Sequence, residues 1–296
     1  MSAPDQPQPE FTPFAKRSWT DLGPRLASAG VLIAATLAGL YFGGYAFSLM
    51  VGLAFALCYR EWERMVTLKP VTPLGGVLVT LVGLGGLLYP AFGALGIVVA
   101  TGLACLLALI QDRQTALWRW AGLIWFGLVI GAVLQIRGVS LWNVPGVTDW
   151  GFWGGMFLAV VVWATDTGAY FTGRQVGGEK LAPDISPSKT WSGAIGGLAI
   201  GTLAGLVLWL IVVPASPWWI GLAIATATSI VGQVGDLTES AIKRRFRVKD
   251  SGAMIPGHGG LMDRLDSTTF GAMFLFVVGA LHVGTGAVAH GFLGWT

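Results

Sequence analysis

Long apolar runs separated by short polar stretches dominate the chain, and they are too long for buried strands and too uniform for one-sided amphipathic helices. A helix that crosses a bilayer needs about 20 mostly apolar residues. Nine such runs are present. The first block, Leu26 to Tyr59, exceeds one span, and its Gly43–Gly44 pair predicts a turn that divides it into two short helices. The next three runs extend from Pro73 to Tyr89, from Ala91 to Ile110 after a tight Tyr89–Pro90 turn, and from Trp118 to Ile136. A sixth runs from Trp150 to Gly173, a seventh from Ser192 to Val213, an eighth from Trp218 to Gly235 and a ninth from Thr268 to His290. The pattern predicts an all-α polytopic membrane protein with about nine transmembrane helices.

Composition agrees: of 296 residues, 54% are hydrophobic and 11% charged, with a mean hydropathy of +0.69, where a soluble surface needs about a quarter charged residues. The 44 glycines follow no collagen-like period, and the two cysteines, Cys58 and Cys105, sit inside apolar runs where a thiol packs as a small hydrophobe. A net charge of +3 does not imply a nucleic-acid footprint; in a membrane protein the location of the charges matters.

Lys and Arg fall in alternate loops. Lys16, Arg17 and Arg25 precede the first span, and Arg60, Arg64 and Lys69 lie between the second and third. Arg113 and Arg119 lie between the fourth and fifth, and Arg174, Lys180 and Lys189 between the sixth and seventh. Lys243, Arg244, Arg245, Arg247, Lys249 and Arg264 lie between the eighth and ninth. Of the 18 basic residues only Arg137 falls on the other side, which predicts a cytoplasmic N-terminus and an external C-terminus. Residues 1–25, with Pro4, Pro7, Pro9 and Pro13, read as a disordered cytoplasmic tail and not as a signal peptide, since no apolar core follows until Leu26.

Residues 26–149 carry five spans with almost no polar groups, whereas residues 150–296 carry four spans and two polar loops, 174–191 and 237–267. The chemistry is expected in this second half. Asp166, late in the sixth span, is an ionisable group inside a membrane helix and shares a face with Tyr170. An interfacial cap or an interhelical hydrogen bond is the alternative. Ser186, Ser188, Lys189 and Thr190 arrive at the start of the seventh span, where free N–H groups and the helix dipole favour a phosphate. Ordinary N-capping would use one of these hydroxyls alone. Gly193, Gly197, Gly201 and Gly205 then form a small-residue seam suited to close helix packing, including that of a homodimer.

At the end of the eighth span Asp236, Glu239, Ser240 and Lys243 fall on one stripe if the helix continues out of the membrane. A solvated helix end with charge pairs gives the same stripe. Beyond it come a basic run, Lys249 and Asp250, a glycine-rich turn with His258, Gly259 and Gly260, and then Asp263, Arg264 and Asp266. Carboxylates facing a basic loop suit phosphoryl chemistry: Mg²⁺ takes one or two carboxylates plus phosphate oxygens, and Lys and Arg offset the charge that develops. The basic loop alone would read as a lipid-headgroup patch, and His258 as a scaffold or as a base.

The run Ser240-Ala-Ile-Lys243-Arg244, then Lys249-Asp250-Ser-Gly252, then Ile255-Pro-Gly-His258-Gly259-Gly260-Leu-Met-Asp263-Arg264-Leu-Asp266 resembles the signature of the phosphatidate cytidylyltransferases, or CDP-diacylglycerol synthases. The resemblance extends to Asp166-Thr-Gly-Ala-Tyr170 and Ser186-Pro-Ser188-Lys189-Thr190-Trp191. It implies CTP and phosphatidate as substrates, CDP-diacylglycerol and pyrophosphate as products, and an active site on the cytoplasmic face of a bacterial inner membrane. It also implies Mg²⁺ held at Asp236 and Asp263, with K⁺ as a further cation, and Lys189, Lys243 and Arg244 as phosphate ligands. Two positions depart from the family pattern: Ser188 stands where a second Lys is common, and Ser192 where an acid is.

Such a reaction needs no general base, because the phosphate of phosphatidate is already an anionic nucleophile. Its demand is to bring two polyanions together for in-line attack. An ion-coupled transporter would also use intramembrane Asp residues, although this chain shows no inverted halves and its polar groups gather at one face. A CTP-dependent enzyme acting on another lipid phosphate would share the site.

Overall fold

The computed structural model describes residues 22–111, 113–140, 146, 149–252, 254 and 259–295. Most of the expected tail and His258 lie outside them. Among the described residues the chain is helical apart from one short hairpin: α1 (Leu22–Phe42), α2 (Gly44–Thr67), α3 (Pro73–Leu87), α4 (Tyr89–Phe92), α5 (Ala94–Gln111), α6 (Arg113–Arg137), α7 (Trp150–Gln175), β1 (Lys180–Ala182), β2 (Ser186–Thr190), α8 (Trp191–Val212), α9 (Trp218–Arg245), α10 (Met262–Val283) and α11 (Val288–Leu293). Among the described residues, four helices are long and apolar enough to cross a membrane, over Thr115–Arg137, Trp191–Val212, Trp218–Arg245 and Met262–Val283. Shorter apolar helices cover Ser28–Phe42, Pro73–Leu87 and Ala94–Leu109. Large apolar side chains stand exposed along α1, α5 and α8, among them Val31, Leu95, Val98, Ile195 and Ile211. These are faces that a bilayer covers, and the chain is an integral membrane protein.

Local chemistry accounts for the breaks. Gly43 takes φ +60° between α1 and α2, the predicted split, in a backbone region that penalises a Cβ. Thr72 caps α3 by accepting the Gly75 N–H at 3.1 Å, and Pro73 occupies the first turn where no donor is needed. Asp149 caps α7 in the same way through the Phe152 N–H.

Several expected boundaries shift. Arg60 and Arg64 belong to α2, which continues to Thr67, so the polar connection shrinks to the residues just before α3. The Tyr89–Pro90 turn is a single helical turn, α4. The last run divides at Gly284, where φ is +85°, into α10 and the separate α11. The loop expected over 237–267 is shorter, because α9 extends to Arg245 and α10 starts at Met262.

Two buried clusters interlock. The first gathers Tyr59, Phe55, Leu78, Leu123 and Ile130 from α2, α3 and α6, and also takes in Leu261 and Met262. The second gathers Phe157, Trp209, Ile224, Leu275 and Phe292 from α7 through α11. Cys58 is fully buried and Cys105 partly so, and both are free thiols. The glycine seam of α8 faces α7 within the chain: a Cβ on Gly197 would lie 2.7 Å from the Thr165 carbonyl oxygen, and one on Gly205 2.6 Å from Val161. The seam is therefore filled within the chain.

Candidate active site

The loop after α7 folds into an antiparallel hairpin that pairs Lys180 with Thr190 and Ala182 with Ser186. Thr190 then caps α8, accepting the Gly193 N–H at 3.1 Å, so the capping alternative is realised by this residue. The register slips between the two strand pairs, so β2 does not alternate its side chains strictly. Lys189 reaches α9 and pairs with Asp236 at 2.5 Å, the two side chains being 27% and 29% exposed. Arg244 donates to the Ile185 carbonyl at 3.1 Å and ties the tip of the hairpin to the end of α9. Its other contact, at 3.1 Å to the Val248 carbonyl, closes the basic turn. Ser192 donates to the Gly177 carbonyl at 2.5 Å and lies 3.0 Å from the Thr190 hydroxyl.

The stripe at the end of α9 forms as the spacing predicts, because α9 does continue. The Ser240 hydroxyl lies 3.5 Å from Asp236, and Lys243 pairs with Glu239 at 3.1 Å one turn back. The same ammonium reaches Asp263 on α10 at 2.5 Å. Asp263 also accepts the Ser251 N–H at 3.1 Å, the Ser251 hydroxyl at 3.0 Å and the Gly260 N–H at 3.0 Å. Four donor groups around one carboxylate account for its ordinary acceptor capacity. Asp266, one turn along α10, accepts its neighbouring Ser267 N–H at 2.6 Å.

Asp166 is exposed on α7 and lies within electrostatic reach of Asp236, Lys189 and Arg264. Asp266 interacts in turn with Asp236, Glu239 and Asp166. Three helices and the hairpin thus direct acidic and basic groups to one locality. Lys249, Asp250 and Arg264 are exposed beside it. Gly259 takes φ +81° in the turn before α10. A cavity of about 250 Å³ adjoins this locality, lined by Trp62, Trp118, Trp125 and Phe270 with Glu239 and Asp266 at its polar end.

Two features escape sequence reasoning. Glu61 on α2 is 2% exposed and accepts the Leu261 N–H at 3.1 Å, the Met262 N–H at 2.9 Å and the Ser251 hydroxyl at 3.0 Å. Glu63 pairs with Arg119 of α6 at 2.8 Å, both almost fully buried. The signal was two carboxylates at the end of an apolar run, a costly placement without partners.

Among the described residues no three His, Cys, Asp or Glu side chains form a preassembled metal set. Mg²⁺ does not require one, since it retains waters and takes one or two carboxylates plus phosphate oxygens. Asp236, 29% exposed, fits that donor chemistry, and Asp263 fits it once one of its present donors, Lys243, Ser251 or Gly260, gives way.

The profile of the cytidylyltransferase family matches residues 24–282. The chain belongs to this family. Two relatives, from Brucella suis biovar 1 (strain 1330) and Haemophilus influenzae (strain ATCC 51907 / DSM 11121 / KW20 / Rd), are named phosphatidate cytidylyltransferase. The first is 39% identical over 266 residues, covering 88% of this chain and 94% of the relative. The second is 34% identical over 279 residues, covering 84% and 96%. A third of that name, from Bacillus subtilis (strain 168), is 39% identical over 158 residues, which is 53% of this chain and 56% of the relative. The family match takes in the helices of the first buried cluster and α7 to α10 of the second, so the first half of the chain belongs to it as well as the signature.

Proposed function

We propose that this chain transfers CMP from CTP to phosphatidate, giving CDP-diacylglycerol and pyrophosphate, at the cytoplasmic face of a bacterial inner membrane. A phosphate oxygen of phosphatidate attacks the α-phosphorus of CTP in line, and the bond to the β-phosphate breaks to release pyrophosphate. The observation that carries the reading is α9: Asp236, Glu239 and Lys243 project from its last turns, and each meets an oppositely charged group. Membership of the cytidylyltransferase family and the names of the relatives support it.

Lys189, Lys243 and Arg244 are the groups for substrate phosphates, with Ser186, Ser188, Lys249 and Arg264 around the entrance. Asp236 and Asp263 would hold Mg²⁺, which supplies Lewis-acid polarisation of phosphate oxygens and charge neutralisation on the leaving group. Lys243 exchanges Asp263 for a phosphate as the substrates enter, which frees a carboxylate oxygen. Asp166 and Asp266 lie within electrostatic reach of Asp236, where K⁺ would be a further cation. The aromatic cavity beside Asp266 has room for a short apolar stretch next to the phosphate of phosphatidate and not for its two acyl chains. In this reading the nine longer helices all cross the bilayer with the N-terminus inside, supported by the one-sided distribution of Lys and Arg.

The test is incorporation of labelled CTP into organic-extractable lipid by detergent-purified protein. Label that depends on both phosphatidate and Mg²⁺ is expected. Label with a different lipid phosphate alone would overturn the substrate assignment, and no label with any lipid would favour a transporter.

A further inference from the structure

We propose that Glu61 is a positioning residue for this reaction: it holds the N-terminus of α10 and the Ser251 hydroxyl so that Asp263 and Asp266 face the α9 stripe. The proposal rests on the cytidylyl-transfer reading above. Helix α10 begins without a capping side chain of its own, its N-cap being Leu261 in a helical conformation. The first N–H groups of a helix need acceptors. Those of Leu261 and Met262 are taken by Glu61, from 200 residues earlier in the chain.

Its second link runs sideways. One Ser251 hydroxyl lies 3.0 Å from Glu61 and 3.0 Å from Asp263, so two carboxylates converge on one donor. Asp263 in turn grips Lys243, which grips Glu239. A continuous chain of contacts therefore joins α2 to the stripe on α9 through the turn before α10.

The enclosure is tight. A Cβ on Gly260 would lie 2.6 Å from Glu61 and 2.9 Å from the Gly252 nitrogen, and one on Gly252 would lie 2.5 Å from Glu61. The two glycines close around the carboxylate and hold it against the start of α10. A group of this kind that orients the residues doing the chemistry affects turnover without touching substrate.

The decisive comparison is Glu61→Gln in full-length, detergent-purified protein, with Ser251→Ala as a milder probe of the same contact. Glu61→Gln is expected to lower kcat by about tenfold or more while the KM for CTP changes less than about threefold, as the loss of an orienting contact does. Amide hydrogen exchange at Ser251, Leu261 and Met262 is expected to quicken while the middle of α9 stays protected. If both variants fold and turn over at the parental kcat, or if exchange at these amides is unchanged, the proposal is overturned. Should Glu61→Gln not fold, Ser251→Ala decides the matter by the same two readouts. Parental protein inactive with CTP and phosphatidate would remove the reaction itself, whereas active parental protein with an equally active Glu61→Gln would remove only the role of Glu61.

Discussion

The ammonium of Lys243 sits 2.5 Å from Asp263 and 3.1 Å from Glu239, bridging two helices. All three side chains are 9–10% exposed. A cation held between two poorly solvated carboxylates is costly to remove, because the acids it leaves repel one another. It is also well placed for exchange, since a phosphate can replace one of its partners without carrying the charge far.

Lys243→Met is therefore expected to lower stability by about 3–5 kcal/mol, the usual result of breaking a buried pair from one side. Turnover should also be lost in whatever fraction remains folded. Thermal midpoints in detergent, read beside CTP incorporation, check both. A variant of parental stability would mean that Glu239 and Asp263 are hydrated and that the bridge has little structural weight.

Asp263→Asn keeps the size of the side chain but replaces one acceptor oxygen by a donor facing the N–H groups of Ser251 and Gly260. Turnover is expected to fall by about a hundredfold or more, the scale for losing an electrostatic contact to the reacting charge. Titration of activity with Mg²⁺ should require higher metal. Undiminished Mg²⁺-dependent turnover in folded protein would eliminate Asp263 as a metal ligand.

Lys189 offers the contrast. Its pair with Asp236 is more than a quarter exposed on each side, so Lys189→Ala should change stability by no more than about 1 kcal/mol. The KM for CTP or for phosphatidate is expected to rise about tenfold, as when one charge-assisted phosphate contact is lost. Steady-state kinetics with each substrate varied in turn would show it, and unchanged constants would dismiss Lys189 as a phosphate ligand.

What the sequence made legible were features whose cause is local. The Gly43 break, the Thr190 cap, the α8 seam and the Asp236–Lys243 stripe each follow from spacing within one element. The hairpin at 180–190 was hidden because its strands are short, one contains Pro187, and neither alternates apolar with polar residues. The contacts of Glu61 with residues 251–262 and of Glu63 with Arg119 join residues far apart in sequence, and no periodicity encodes such partners. The run of polar residues before the fifth span predicts Arg119 in a loop on the cytoplasmic side, yet it is 3% exposed inside α6. The reading of charge as solvated loop failed where two opposite charges on neighbouring helices neutralise each other.

The Glu63–Arg119 pair is expected to matter for stability alone. Arg119→Met would leave Glu63 buried with, among the described residues, the Tyr59 hydroxyl as its remaining donor, at a cost of about 3 kcal/mol or more. The KM for CTP should remain within about twofold, because the pair binds α2 to α6 and lies outside the charged stripe. A large rise in that KM with a parental thermal midpoint would move Arg119 into the binding machinery.

Gly201 tests whether close approach of α7 and α8 holds the site together. A Cβ there would run into the Thr165 hydroxyl and lie 3.1 Å from the Val161 carbonyl oxygen. Thr165 also bonds Ser229 of α9 at 2.8 Å, so displacing it disturbs three helices at once. Asp166 follows Thr165 directly on α7, and α8 begins at the residue after the Lys189–Thr190 cap. Gly201→Val should therefore lower stability by about 1–3 kcal/mol, the cost of overpacking, and turnover should drop as Asp166 and Lys189 separate. Gly102, whose added Cβ would meet nothing within 4 Å, supplies the control. Gly102→Ala is expected to leave both quantities unchanged; a comparable loss there would assign the effect to helix chemistry in general and not to the α7–α8 seam.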